Sequence, residues 1–281
     1  MEGDIHVYCI NLKHRSDRWN RFSSQPELEV MKQFYEVERF DAINGSAINV
    51  QKDERISLRT KRNIKDHIRR DHEELDSAGG VGCYLSHTSV WKKFLERSEP
   101  YAIILEDDVV LDNGFTKSLQ KAMKDTTLLP EVPDVWFFLG PSDWYFEYKG
   151  KPFPPHVKAN TIGPWVTGTC AAFTGYLITR RGAERLLESA FPIDMHVDLY
   201  TCLNGELGRT LNVYHRNVNV NVHAIQAVDS DIQVSGDKAC EVCDVPTHYK
   251  KKGIIIVSVP VLCLGLLAVG GILYLSNLRR R

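Results

Sequence analysis

Three successive carboxylates, Glu106, Asp107 and Asp108, interrupt an apolar run, Tyr-Ala-Ile-Ile-Leu-Glu-Asp-Asp-Val-Val-Leu, over residues 101–111. A run this rich in Ile and Leu reads as a buried strand of a mostly parallel sheet. The carboxyl end of such a strand is where open α/β sheets bind their ligands. Glu106 and Asp108 are two apart, so extended geometry puts them on one face. Two hard oxygen donors there can hold Mg²⁺ or Mn²⁺, with a phosphate-bearing ligand completing the shell. The same residues also fit a solvated acidic strand end, or a helix N-terminus favoured by the helix dipole.

Other residues could do chemistry. An apolar segment, residues 5–12, is followed by Lys13, His14, Arg15 and Arg18, with Ser16 placed to cap a helix through Trp19 and Phe22. Cations where a strand gives way to a helix make a site for an anion, although the helix dipole opposes them there. Gly79 and Gly80 break the chain, and a helix is expected from Val81, with Tyr84, Leu85, Thr88, Trp91 and Leu95 on its core face. Ser86 and His87 lie near its start. His87 fits a phosphate or ribose contact, and equally a hydrogen-bonded histidine inside a packed helix. Asp194 and Asp198 are four apart and share a face if a helix begins there; like charges at that spacing repel unless a cation or substrate lies between them or one is protonated. They also fit as capping carboxylates. The aromatic residues Trp144, Tyr145, Phe146, Tyr148 and Phe153 could stack on sugar rings or form a satellite hydrophobic cluster. His223 ends a late half-buried strand expected over residues 213–224.

Further strands are expected over 34–43, reaching Asp41, over 134–140 and over 167–178. Helices are expected over 115–124 and over 180–190, the second capped by Thr179. Residues 49–74 are polar and charge-mixed, with Arg55, Arg59, Lys61, Arg62, Lys65, Arg69 and Arg70. They read as a long or partly helical excursion over the sheet, suited to closing over a diphosphate or simply solvated. The chain of 281 residues, 43% hydrophobic and 25% charged, has a globular composition. Its net charge of −1 argues against a nucleic-acid partner, whose phosphates demand a basic surplus. Seven scattered cysteines do not form a disulfide framework. Cys240 and Cys243 are a lone Cys-x-x-Cys and a weak zinc or redox signal.

Residues 253–276 carry no charge and are long enough to span a bilayer core of about 30 Å. Lys250–Lys252 and Arg279–Arg281 flank them and leave orientation unresolved by charge. Residues 1–12 do not read as a signal peptide. The expectation is a catalytic domain over 1–228, a linker over 229–252, a single-pass transmembrane helix over 253–276 and a basic tail over 277–281. Post-translational insertion would leave the large domain in the cytosol.

Four segments, in order, resemble glycosyltransferase family 25, the lipooligosaccharide-biosynthesis and collagen-galactosyltransferase family. Residues 7–18, Val-Tyr-Cys-Ile-Asn-Leu-Lys-His-Arg-Ser-Asp-Arg, are similar to its N-terminal strand and Asn-Leu…Arg-x-x-Arg turn. Residues 82–87, Gly-Cys-Tyr-Leu-Ser-His, resemble its Gly-Cys-x-Leu-Ser-His helix. Residues 104–109 resemble its Leu-Glu-Asp-Asp motif. Residues 175–183, followed by Pro192-Ile193-Asp194 and Asp198, resemble its C-terminal pair. Asp41-Ala42 with Gly45 also resembles its Asp-Ala-x-x-Gly.

The resemblance implies an α/β fold of the GT-A type, a nucleotide-binding sandwich around a mostly parallel central sheet. It implies transfer of a sugar, galactose above others, from a UDP-sugar to an acceptor hydroxyl, with inversion and with Mn²⁺ or Mg²⁺. Carried over, Glu106, Asp108 and His223 would serve the metal. Asn11, Leu12, Arg15, Arg18, Asp41, Ser86, His87 and Asp107 would face the donor, and Asp194 or Asp198 would act as base. The acceptor would be a glycan, a lipid-linked molecule or a protein near the membrane. Two other readings use the same residues: an inactive tail-anchored scaffold or glycan-binding protein on this fold, and a metal phosphohydrolase, which lacks a recognisable nucleophile motif.

Overall fold

The computed structural model describes residues 4–68, 74–125, 132–138, 173–201, 213–214 and 224–226. The expected membrane span, Cys240 and Cys243 lie outside the described residues. So do the aromatic segment 141–155 and His223. Among the described residues, no helix is long and apolar enough to cross a membrane.

A six-stranded sheet is built from β1 (Ile5–Asn11), β2 (Glu36–Asp41), β3 (Tyr101–Glu106), β5 (Val135–Phe137), β6 (Gly175–Thr179) and β7 (Val213–Tyr214), in the order β2-β1-β3-β6-β5-β7. β1 pairs in parallel with β2 and β3, and β5 with β7; β6 runs antiparallel between β3 and β5. The fold is thus α/β with a mixed, mostly parallel sheet, as the apolar runs predict. A second, two-stranded sheet pairs β4 (Val109–Leu111) antiparallel to β8 (Ala224–Gln226).

Period-2 alternation divides the core. Every residue of β1 is buried. Tyr8 and Ile10, with Ala102 and Ile104 of β3, face α4 (Ala78–Leu95) and α6 (Arg180–Glu188). Ile5, Val7 and Cys9, with Ile103 and Leu105, face Phe22 of α1 (Ser16–Ser23), Leu28 and Met31 of α2 (Pro26–Met31), and Phe115 and Leu119 of α5 (Phe115–Lys124). Helices cover both faces of the sheet, so its inner strands lack the apolar–polar alternation of a half-exposed sheet.

The helix expected from Val81 starts three residues earlier, at Ala78, with the Ser77 hydroxyl accepting from the Gly80 N–H at 3.1 Å. The glycines do not break it; they let it approach another backbone. A Cβ on Gly82 would lie 2.6 Å from the Ile43 carbonyl oxygen and 2.7 Å from the Gly45 nitrogen. Residues 49–74 contain α3 (Leu58–Asp66), capped by Ser57, and Ile56 makes a parallel bridge to Ile193. The second strand is shorter than its apolar signal and begins at Glu36. The last described helical residues, 197–201, follow Asp194.

Candidate active site

The strand order reverses at β1. The chain passes from β1 outward to β2, then returns to β3 on the other side, so a crevice opens beyond the carboxyl ends of β1 and β3. That is the switch point where open α/β sheets take ligands. Asn11 ends β1 and Glu106 ends β3, and the Asp107 N–H donates to the Ile10 carbonyl at 3.1 Å, closing the two strand ends together.

The three carboxylates separate here. Glu106 keeps the parity of Ala102 and Ile104 and turns toward α4. Its Oε1 lies 3.1 Å from His87 Nε2 and 3.6 Å from Cys83 Sγ. Asp107 takes the opposite side, accepts from the Asn11 amide, and pairs with the Arg18 guanidinium of α1 at 2.8 Å. Asp108 would return to Glu106's face if the strand continued. It does not continue: residues 107 and 108 form a turn, and Asp108 Oδ2 meets the same Arg18 nitrogen at 2.9 Å. Glu106 and Asp108, expected side by side, therefore have different partners.

Burial sets the charge states. It pushes the Asp107 carboxyl above the usual carboxylate range, and the neighbouring Glu106 adds to that, while Asn11 and Arg18 pull the other way. Burial would also raise Glu106, but hydrogen bonds from His87 and Cys83 and the Arg18 charge hold it below its ordinary value. Burial pushes the Cys83 thiol well up, with the charges of Glu106, Asp198 and Asp108 adding to the effect. Three carboxylates thus bear on one thiol at the end of β3, and Asp198 belongs to this group.

Asp194 is held elsewhere. Arg59 of α3 clamps its carboxylate, with Nε donating to Oδ1 at 2.9 Å, and the Ser57 hydroxyl donates to Oδ1 at 2.6 Å. The same arginine reaches the buried Glu74, 3.8 Å away. Asp194 therefore ties the 55–66 segment to the 193 strap, whereas the charge of Asp198 bears on the Cys83 thiol.

The remaining expected donor-facing residues divide in two. Arg39 of β2, which no sequence motif singles out, donates to Asn11 Oδ1 at 2.5 Å and stacks over Trp19 at 5.1 Å. Arg15 is half-buried and pairs with Asp17 at 2.9 Å; Leu12 is half-buried and Asp41 exposed beside them. Ser86 and His87 are buried inside the fold. The Ser86 hydroxyl accepts from the Ile43 N–H at 2.8 Å and donates to the Gly82 carbonyl at 2.7 Å. It fixes α4 to the 43–45 turn. His87 Nδ1 faces the Tyr176 hydroxyl at 2.9 Å, and Trp91 Nε1 donates to the same hydroxyl at 2.8 Å. Cys83 and Tyr176 were not singled out in the sequence. The signal for Cys83 was present, because it precedes His87 by four residues on a helix.

An α/β sheet with carboxylates and arginines at its switch point belongs to the broad class of phosphate-ligand binders. The family model described as "Glycosyltransferase family 25 (LPS biosynthesis protein)" matches residues 4–201. The chain belongs to glycosyltransferase family 25. It is 29% identical over 184 residues to procollagen galactosyltransferase 1-B of Xenopus laevis, covering 65% of this chain and 28% of that protein. It is 26% identical over 190 residues to procollagen galactosyltransferase 2 of Homo sapiens, covering 66% and 28%, and 25% identical over 211 residues to a glycosyltransferase 25 family member of Aedes aegypti, covering 70% and 31%. The matched region thus spans about three tenths of each of these curated relatives. The apo crystal structure of mouse xyloside xylosyltransferase 1 overlaps 76% of this chain and 85% of its own, at 10% identity and a TM-score of 0.37, too low to bear on function.

Proposed function

We propose that the chain is a glycosyltransferase of the GT-A type that moves a sugar, galactose first among candidates, from a UDP-sugar to an acceptor hydroxyl with inversion. The observation that carries this reading is the convergence of Asn11, Arg18, Glu106, Asp107 and Asp108 at the β1/β3 switch point, inside the region matched by the family.

In this reading Asp198 is the base. Its carboxylate takes the proton of the acceptor hydroxyl, whose oxygen attacks the anomeric carbon as the bond to the diphosphate oxygen breaks and the electron pair leaves with UDP. Arg15 is the nearer cation to solvent and meets the diphosphate, while Arg18 orients Asp107 toward the sugar or ribose. Ser86 and His87 act by holding α4 and Glu106 in place rather than by touching the nucleotide. The donor set suits a hard divalent cation: three carboxylates, Glu106, Asp107 and Asp108, gather at the end of β3, and one Arg18 nitrogen serves two of them. Mn²⁺ or Mg²⁺ would be held by Glu106 and Asp108 once Asp108 turns from Arg18 toward Glu106, with His223 as a further ligand, and would neutralise charge on the departing diphosphate.

The acceptor is a glycan, a lipid-linked molecule or a protein close to a membrane, reached by an enzyme anchored through residues 253–276 with its catalytic region on the cytosolic side. Protease treatment of intact microsomes checks the last point; protection of the large domain would place it in the lumen. The activity itself is checked by a nucleotide-sugar turnover panel on the full chain with Mn²⁺ or with EDTA. UDP-galactose turnover that requires Mn²⁺, and that falls roughly 10²–10⁴-fold in Asp198→Asn with donor binding retained, is the expected result. Absence of both binding and turnover of every nucleotide sugar would refute the assignment.

A further inference from the structure

Among the described residues two clusters bring three metal-ligating side chains together. One is His6 with Glu36 and Glu99, and a cation already fills it: an Arg97 nitrogen lies 2.9 Å from Glu36 and 2.6 Å from Glu99. The other is Cys83, His87 and Glu106, whose ligand atoms lie within 4.8 Å of one another.

We propose that Cys83, His87 and Glu106 form a binding site for a borderline-soft transition metal, Zn²⁺ or its spectroscopic substitute Co²⁺. This site is distinct in ligand type from the hard-oxygen donor site and stands on its own geometry, whether or not the transferase reading holds. The sequence supplies it simply. Cys83 and His87 are four apart on α4 and point to one side. Glu106 is the last residue of β3, on the parity that faces α4.

The distances fit a tetrahedral ion. Bonds of about 2.3 Å to sulfur, about 2.05 Å to nitrogen and about 2.1 Å to oxygen require edges of about 3.4 Å from nitrogen to oxygen and about 3.6 Å from sulfur to oxygen. The corresponding separations are 3.1 Å and 3.6 Å, and all three ligand atoms lie within 4.8 Å of one another. The histidine is oriented as zinc-binding histidines are, with its other ring nitrogen fixed by a hydrogen bond. Here Nδ1 is held by Tyr176, which Trp91 holds in turn, and this directs Nε2 at Glu106. A thiolate and a carboxylate would balance a divalent ion in this enclosed place; on binding, the thiol proton would leave to solvent and the Nε2 proton would give way to one on Nδ1, which then donates to the Tyr176 hydroxyl. Three protein ligands leave a fourth position open. A mixed sulfur, nitrogen and oxygen set favours Zn²⁺ and Co²⁺ over Mg²⁺ and Mn²⁺. Zinc bound here takes up Glu106, the carboxylate the donor site also uses, so this site and Mn²⁺-supported transfer would compete.

The test is a Co²⁺ titration of the reduced, EDTA-treated full chain carrying Cys240→Ser and Cys243→Ser, which removes the other cysteine pair. A thiolate-to-cobalt charge-transfer band in the near ultraviolet, saturating at one ion per chain and bleached by Zn²⁺, is expected. Cys83→Ser should abolish the band, and His87→Gln should weaken Co²⁺ binding at least ~10-fold. X-ray absorption of the zinc-loaded chain with Cys83 and His87 intact tests the same site without disturbing the helix. One sulfur at about 2.3 Å, with nitrogen and oxygen completing the shell, supports it. The proposal is overturned by absence of the band, by its persistence in Cys83→Ser, or by a zinc shell without sulfur.

Discussion

Arg18 is the residue on which the acidic turn depends for charge balance, and replacing it with Met gives a quantitative test. Its guanidinium is nearly inaccessible and meets two carboxylates, at 2.8 Å and 2.9 Å, that are themselves buried. Methionine keeps much of the stem and volume but removes the charge. Breaking a buried ion pair from one side costs about 3–5 kcal/mol, because the surviving charge is left without compensation. At about 2–4 °C per kcal/mol for a domain of this size, the melting temperature should fall by about 6–20 °C at neutral pH. The pH dependence follows from Asp107, whose carboxyl burial already raises above the usual range and which Arg18 pulls down. Without Arg18 it rises further. Above the ordinary carboxylate value of about 3.9, the folded variant then keeps a proton that the unfolded chain has released, so its stability falls as pH rises through that window. Thermal unfolding followed by circular dichroism in EDTA, from about pH 7 to about pH 4, should show the gap to wild type widest at pH 7 and narrowing toward pH 4. A loss below about 1 kcal/mol at neutral pH, or a gap that does not change with pH, would refute the buried-pair argument.

Gly82→Ala places a methyl group against the Ile43 carbonyl and the Gly45 backbone, both under 3.0 Å away. Overpacking of this kind should cost about 1–3 kcal/mol, read as a lower urea midpoint with an unchanged slope. Tyr176→Phe removes the hydroxyl that joins Trp91 to His87 and leaves two buried polar atoms to find new partners. A loss of about 2–4 kcal/mol is expected in the same measurement, and a loss under ~0.5 kcal/mol would mean that water or repacking replaces the relay. Burial, aided by the Arg97 charge, holds His6 below its ordinary value despite Glu36 and Glu38. The unfolded chain therefore takes up the proton first, and stability should decline as pH falls below about 6.5. His6→Gln should flatten that part of the stability profile, and an unchanged slope would assign it to other groups.

The parallel half of the sheet was legible because β1 and β3 are buried on both faces and so read as unbroken apolar runs. Helix α5 matched its expected bounds because an Asn-Gly turn and an apolar stripe mark it; the carboxylate of Glu27, from α2, supplies its missing cap by accepting from the Gly114 and Thr116 N–H groups, each at 2.8 Å. The start of α4 was misread for a reason no local rule contains. Gly79 and Gly80 look like breakers in one dimension, yet the helix runs through them, and Gly82 and Gly45 are needed because two backbones meet there. The excursion over 49–74 hid α3, since its buried residues are Thr60 and Asn63 rather than an apolar stripe. Its packing is polar, with Asn63 donating to Glu74 at 2.9 Å.

The site was legible as a place but not as a set of directions. Alternation along a strand assigns side chains to faces only while the strand lasts. Glu106 obeys it and reaches His87; Asp108, two residues on, does not, because the backbone turns at residues 107 and 108 and the strand ends there. The turn at residues 107 and 108 therefore divides the acidic run between α4 and α1 instead of presenting two carboxylates to one cation. The choice between Asp194 and Asp198 rests on a similar contact. Arg59 lies in a charge-mixed segment that reads as solvated, and its meeting with Asp194 across 135 residues of sequence leaves Asp198 as the one of the two whose charge bears on Cys83. Asp194→Asn should lower stability and leave turnover of the folded enzyme intact, whereas Asp198→Asn should lower turnover with stability and donor binding retained.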